Sequence, residues 1–91
     1  MPQSAIKQRL ARRKAQVMTN LLNHYKEVTM APEPTHFFCR KTRTYFRVEV
    51  DRLSTAMQQK LVEFKARINK TDKVKVFVFK KNAQKPEVKE I

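Results

Sequence analysis

Thr44-Tyr-Phe-Arg-Val-Glu-Val50, residues 51–69 and Lys73-Val-Lys-Val-Phe-Val-Phe79 form the most strongly patterned part of this chain. In the first and last segments every second residue is apolar, which is the period of a β-strand with one apolar face. In the middle segment apolar residues recur at intervals of three or four, which predicts one stripe along a helix. The stripe consists of Leu53, Met57, Leu61, Phe64 and Ile68. The sequence therefore predicts a strand, a helix and a second strand in direct succession.

The short connections between these elements constrain how the two strands pair. Turns of about three residues are usual between strands and helices, so we expect parallel strands joined by a right-handed crossover. Asp51 or Ser54 is the candidate N-cap of the helix, and Asn69 marks its end. We expect the helix to cover one face of both strands through Leu61 and Phe64. The covered residues on that face would be Val48, Val50, Val74 and Val76.

The N-terminal part of the chain predicts a longer helix over residues 5–28, which contain neither Pro nor Gly. Ser4 is its candidate N-cap. The second half of this helix, from Val17 to Val28, carries an apolar stripe suited to dock on the sheet or on another chain. Residues 1–14 are basic on nearly every side, so we expect this start to be mobile, to project from the body and to order on a polyanion. The basic residues are Lys7, Arg9, Arg12, Arg13 and Lys14.

The remaining segments complete the predicted body. Pro32 and Pro34 make residues 29–35 a loop. Residues 37–39 are strand-prone and predict a β-hairpin with the 44–50 strand, its turn near Lys41 and Thr42, although one bent strand is the alternative.

The C-terminal residues 82–91 lack periodicity and contain Pro86, which predicts a frayed tail. The fold class is therefore α+β within one small basic domain over residues 1–91. A long N-terminal helix precedes a ββαβ body, and helices pack on its small sheet.

The charge is the strongest functional signal. The chain has 21 Lys and Arg against 8 Asp and Glu, for a net charge of +13 in 91 residues. A compact domain with this charge repels itself unless a polyanion neutralises it, so nucleic acid is the expected partner. A merely soluble basic surface and an anionic membrane surface are weaker explanations. Gly is absent, which excludes Gly-rich phosphate loops and leaves positive φ angles to Asn, Asp or other residues.

Three basic surfaces are candidate binding sites. The hairpin carries Arg40, Lys41, Arg43 and Arg47, and a two-stranded ribbon fits the major groove of DNA. The N-terminal helix supplies the five basic residues named above. The third is the sheet face expected to point away from the second helix, where aromatic and basic residues could stack unpaired bases. That face would hold Tyr45, Arg47, Lys75, Phe77 and Phe79.

Parallel strands are normally covered on both faces. We therefore favour a covered position for Phe77 and Phe79, under the first helix or under a second subunit.

These features predict a non-enzymatic nucleic-acid-binding protein without cofactor or metal, and a homodimer. Duplex DNA is slightly favoured over RNA because a hairpin and a helix both match the size of a DNA groove. One alternative is a small regulator that binds an acidic cleft of another protein. The other is a metal-free ribonuclease toxin that uses His36 and Tyr45. A zinc site from His36 and Cys39, with His24 as the other histidine, is weakly supported, as is a metal nuclease at Glu49 and Asp51.

The single cysteine, Cys39, cannot form an internal disulfide and indicates a reducing compartment, cytoplasmic or nucleoid-associated. The basic, acid-free start also resembles a mitochondrial leader in composition, which is a minor alternative. No apolar run approaches the roughly 20 residues that a membrane span needs, so a membrane partner is not expected.

Overall fold

The computed structural model describes residues 2–24, with side chains from Lys7 to Leu22, and residues 27–81 and 83–91. The elements are α1 (Pro2–His24), β1 (Val28–Met30), β2 (Phe37–Cys39), β3 (Thr44–Val50), α2 (Thr55–Arg67), β4 (Lys73–Phe79) and β5 (Glu87–Glu90). The five strands form one sheet in the order β1-β2-β3-β4-β5, in which β3 and β4 are parallel and the other neighbours antiparallel. The predicted α+β class and its helix-then-ββαβ order are confirmed, and β1 and β5 are additions that the sequence did not predict.

The β3–α2–β4 unit has the predicted strand bounds and the predicted parallel pairing. Ser54 is the N-cap of α2, because its side-chain oxygen accepts a hydrogen bond from the backbone N–H of Met57 at 3.2 Å. Asp51, the other candidate cap, lies in the turn after β3 with φ 72°. Asp tolerates this left-handed conformation better than most residues do, which matters in a chain without Gly.

The α2 side of the sheet forms one of two apolar clusters. Leu61 of α2 is fully buried against the three valines of β4, Val74, Val76 and Val78. The expectation that Val48 and Val50 also lie under α2 is wrong, since both belong to the cluster on the α1 side.

The register of β3 against β4 explains the error. Tyr45 pairs with Val74 and Glu49 with Val78, so the valines of β4 share a face with the residues between the valines of β3. The expectation that Tyr45 and Arg47 point away from α2 is wrong for the same reason. Alternation within each strand is visible in a sequence, whereas the phase between two strands is not.

The second cluster lies between α1 and the sheet. Val17 and Leu21 of α1 are 4% and 7% exposed and pack with Phe79, which is 2% exposed. The covered position favoured for Phe79 is therefore confirmed, and Phe77 is partly buried in the same cluster. Leu10 also packs here, so the basic half of α1 lies along the sheet from residue 9 onward and does not project.

Both ends of α1 differ from the prediction. The helix begins at Pro2, so Ser4 lies inside it and is not its cap. Val28 was expected in the helix and instead begins β1, where it pairs with Cys39; the intervening residues Tyr25 and Lys26 lie outside the described part of the chain. Strand β1 also includes Thr29 and Met30, which were predicted to be loop, because a strand of three residues is too short to show a recognisable alternation.

The predicted hairpin between β2 and β3 is confirmed, with its turn at residues 40–43. It is flanked by β1 and β4, so it is not a free two-stranded ribbon.

The tail is not frayed in its described part, because Glu87–Glu90 form β5 on the edge of β4. The backbone N–H of Ile91 bonds to the carbonyl of Val74 at 2.9 Å; Asn82 lies outside the described residues. Over the described residues, neither helix combines the length and apolarity needed to cross a bilayer.

We expect Leu61→Ala to lower the free energy of unfolding by about 2–5 kcal/mol, because it opens a cavity in a site with no solvent access. The neighbouring Val62, which is 48% exposed, provides the matched control, and Val62→Ala should stay within about 0.5 kcal/mol. Urea unfolding followed by circular dichroism measures both. Equal losses of stability for the two variants would contradict the placement of α2.

Candidate nucleic-acid interface

Three arginines of α1 and one lysine after β4 line a concave surface of about 490 Å³. Arg12 and Arg13 follow Arg9 by three and four residues, so both lie on the same flank of the helix as Arg9. Lys81 reaches the same place because β4 runs parallel to β3 and ends beside it. These four side chains are the whole described lining of the concavity.

Arg9 fixes this end of α1 to the sheet. Its two terminal nitrogens donate to the two carboxylate oxygens of Asp51 at 2.8 and 3.3 Å. The hydrogen bonds raise the pKa of Arg9 and lower that of Asp51, and the charge of Lys81 lowers the Asp51 pKa further. Because the pair is exposed, its value to stability is small, and its effect is to hold the arginine at the edge of the concavity.

Arg13 is held more rigidly. Its guanidinium carbon lies 4.6 Å from the centroid of the Phe79 ring, within cation–π range. One terminal nitrogen donates to the carbonyl of Ala83 at 2.8 Å and the other to the side-chain oxygen of Gln16 at 2.9 Å. A cation that is already ordered loses little conformational entropy when it binds an anion.

Two further hollows follow the concavity along α1, and we call the three together the α1 groove. The second hollow, of about 160 Å³, lies between α1 and the segment before β5. The third, of about 230 Å³, ends at the hairpin turn. Leu21 and Phe77 line both of these hollows. The polar lining residues are Gln16, Asn20, Gln84 and Lys85 in the second hollow and Thr42, Thr44 and Lys75 in the third. The third hollow is also lined by the exposed, apolar Val88.

The hairpin turn is a separate basic cluster. Arg40 and Lys41 are exposed there, whereas Arg43, with φ 54°, donates to the carboxylate of Asp72 at 2.8 Å. Strand β3 starts at this turn and ends at Val50, next to Asp51, and its seven residues span about 20 Å. The predicted hairpin and helix clusters therefore lie at opposite ends of the sheet.

Arg47 does not belong to either cluster. It lies on the α2 side, is 12% exposed, and donates to Glu49 at 2.5 Å and to the carbonyl of Pro34 at 2.6 Å. The hollow beside it, of about 290 Å³, is lined by Glu33 and Glu63 as well as by Lys60 and Arg67. The two carboxylates offset most of this positive charge, which makes the α2 side less suited to a polyanion than the α1 groove.

Of the ten residues predicted from the sequence, the structure brings together Arg9, Arg12 and Arg13 in the groove and Lys75 at its far end. Lys7 is exposed on α1 and Lys14 is half-buried. The sequence analysis did not include Lys81 and Lys85 among the candidate binding residues, because residues 80–91 show neither strand-like nor helix-like spacing of apolar residues. The available signal was the basic pair Lys80-Lys81 directly after a strand predicted to run parallel to its neighbour.

The residues of the enzyme alternatives have structural roles. The Nδ1 atom of His36 accepts the backbone N–H of Val48 at 3.0 Å. Burial first, and then the charges of Arg47 and Lys14, lower the pKa of His36 to about 4. The ring of Tyr45 packs 4.4 Å from Phe38 and 5.0 Å from Phe64.

Cys39 of the suggested zinc site is fully buried in the α1-side cluster. The side chain of His24 lies outside the described part of the molecule. Within the described residues no three His, Cys, Asp or Glu side chains are grouped to hold a metal.

Comparison of the chain with protein-family models, with curated proteins and with solved structures finds no match. The groove itself is therefore the basis for assigning a function to this chain.

We expect His36→Asn to reduce the acid sensitivity of the fold. The pKa of His36 falls from 6.5 to about 4 on folding, so protonation favours the unfolded state and stability is lost as pH falls through that window. The amide oxygen of Asn accepts the same N–H without titrating. Between pH 7 and 4.5 the wild type should lose on the order of 1 kcal/mol more than the variant, allowing for partial solvent screening. Urea unfolding at both pH values measures this, and an identical pH dependence would contradict it.

Proposed function

We propose that this protein binds nucleic acid, without performing chemistry on it, by holding the phosphate backbone in the α1 groove. The observation that carries the proposal is the convergence of Arg9, Arg12, Arg13 and Lys81 on one concavity. Arginine suits phosphate because its planar fork donates two parallel hydrogen bonds to one phosphate group. Arg9 and Arg13 already use their terminal nitrogens on Asp51, Gln16 and Ala83, so they contribute positive charge in fixed positions. Among the described residues Arg12 and Lys81 make no side-chain hydrogen bond or ion pair, so they are the two cations of the concavity that can bond a phosphate directly.

The charge balance supports a polyanionic partner. Five of the eight acidic residues form ion pairs with basic side chains in the described part of the chain. Each pair uses one of 21 basic residues, so the positive excess is not compensated within the fold. A phosphate backbone would neutralise this excess and release its own counterions, which gives a salt-dependent affinity.

The sequence suggested two elements that could enter a groove of duplex DNA, the hairpin and the first helix, and only the helix is still available for this. The β2–β3 hairpin lies inside the sheet, so it cannot enter a major groove as a ribbon. Helix α1 still presents an exposed outer line at Gln8, Arg12, Ala15 and Thr19. A binding assay therefore has to compare duplex and single-stranded ligands directly.

The regulator alternative needs a surface for a partner protein, and the apolar second half of α1 was predicted to dock either on the sheet or on another chain. Val17 and Leu21 of that half are buried against the chain's own sheet. A homodimer remains part of the proposal, and the mass of the free protein in solution measures it.

We expect Arg12→Glu with Lys81→Glu to weaken binding to a fluorescent oligonucleotide at least tenfold at 100 mM salt, since two attractive interactions with phosphate become repulsive. The matched control is Lys60→Glu with Lys70→Glu, which makes the same charge change at two exposed positions outside the groove. Fluorescence anisotropy at several salt concentrations measures both. A control that binds as weakly as the groove variant would show that net charge, and not the groove, governs binding.

A second double variant tests the hairpin turn. Arg40→Ala with Lys41→Ala should reduce the slope of log affinity against log salt by up to about 0.9 for each phosphate that the turn no longer neutralises. Arg43 is left intact because Asp72 is only 7% exposed and would be left without its partner. An unchanged slope would exclude the turn from the interface while leaving the groove in place.

A further inference from the structure

We infer that the ligand of the α1 groove is a single-stranded segment of nucleic acid, with an unpaired base stacked on Phe77. This inference rests on the proposed function and names the form of the ligand. It follows from three features of the groove: the succession of its hollows, the position of its aromatic ring, and the order of polar groups along it.

The three hollows of the groove follow one another along α1 and β4. Arg13 lies between the first and the second hollow, where it bonds to Gln16 and to the carbonyl of Ala83. The second hollow connects to the third through their shared residue Phe77. From Lys75 to Phe79 the path follows β4 for about 13 Å, and Lys81 extends it by two residues beyond the strand. This length suits the low end, about four nucleotides, of the site sizes of single-strand-binding folds.

Phe77 is placed as a stacking platform. Its ring lies nearly parallel to that of the buried Phe46, with 5.4 Å between centroids and 4° between planes. This stacking fixes the ring in one orientation, while the residue remains half-buried and lines two hollows. Val88, 55% exposed, extends the apolar surface beside it. A fixed ring with accessible surface is the feature on which unpaired bases stack.

The polar groups along the groove match a strand that presents both phosphates and bases. Basic side chains occur at both ends and in the middle, and amides occur between them. The basic residues are Arg9, Arg12, Arg13, Lys81, Lys85 and Lys75, and the amides are Gln16, Asn20 and Gln84. Amides donate to and accept from base edges, which a single strand exposes fully. No lining residue of these three hollows is acidic within the described chain.

Stacking and charge together decide between possible occupants. In a duplex the faces of each base are covered by its neighbours, so a duplex cannot place a base on Phe77 without unstacking it. A second copy of this chain would bring another +13 charge to a basic groove. A single-stranded polyanion can both stack a base on Phe77 and neutralise the basic side chains of the groove.

The test compares three ligands of equal length by fluorescence anisotropy at 100 mM salt. They are an eight-nucleotide oligothymidine, the same phosphodiester chain with abasic spacers, and an eight-base-pair duplex. The wild type should bind oligothymidine about tenfold more tightly than the abasic chain, which is the typical effect of one stacked base. It should also bind oligothymidine more tightly than the duplex.

Phe77→Leu should reduce oligothymidine binding to the abasic level and leave abasic binding unchanged. The matched control is Phe64→Leu, because Phe64 is also half-buried and packed on an aromatic ring, but on the α2 side. Thermal melting monitors the fold of both variants. A measurement without any variant is ultraviolet crosslinking of oligothymidine to the wild type, with the expected adduct on Phe77.

The outcomes separate this inference from the proposed function. Equal affinity for oligothymidine and the abasic chain, tighter binding of the duplex, or crosslinks confined to other aromatic residues would overturn the single-strand inference and leave nucleic-acid binding standing. Failure of all three ligands to bind at 100 mM salt would overturn both.

Discussion

Parallel pairing of β3 and β4 across helix α2 is the constraint on which the rest of the molecule depends. It buries the valines of β4 under Leu61 on one side of the sheet. It also leaves Phe79 on the other side, as the surface on which Val17 and Leu21 of α1 dock. Because parallel strands end together, the pairing brings Lys81 beside Asp51 and hence beside Arg9. The basic groove is thus a consequence of strand direction.

Charge and packing are combined in α1. Leu10, Val17 and Leu21 bind the helix to the sheet, and the arginines on its flank reach across to the end of β3 and to the segment after β4. Arg9 and Arg13 also line the concavity that these contacts border. The same side chains therefore tie the helix down and present positive charge in a fixed arrangement.

Strong local periodicity made part of this fold predictable. The bounds of β3 and β4 and the Ser54 cap follow from alternation, helical spacing and capping chemistry. The phase between the strands does not, because it depends on register, and so Val48 and Tyr45 were assigned to the wrong faces. Strands β1 and β5 could not be predicted from the sequence because they have only three and four residues. Hydrogen bonds to the neighbouring strand hold them in extended conformation, and a sequence does not show this pairing.

The candidate site was predictable only in composition. The basic residues of α1 stood out because no acid accompanies them, but their grouping with Lys81 and Phe77 depends on tertiary structure. Arg47 was predicted to bind nucleic acid because it lies in a basic stretch, but its side chain bonds to Glu49 and to the carbonyl of Pro34 within the fold.

The central claim is that the α1 groove binds a phosphate backbone, and the most direct measurement is a titration of the ¹⁵N-labelled protein with oligothymidine, followed by amide chemical shifts. The account predicts saturable shifts at Arg9, Arg12, Arg13, Phe77 and Lys81, with the α2 amides little changed. Shifts confined to α2, or no shifts at physiological salt, would contradict it.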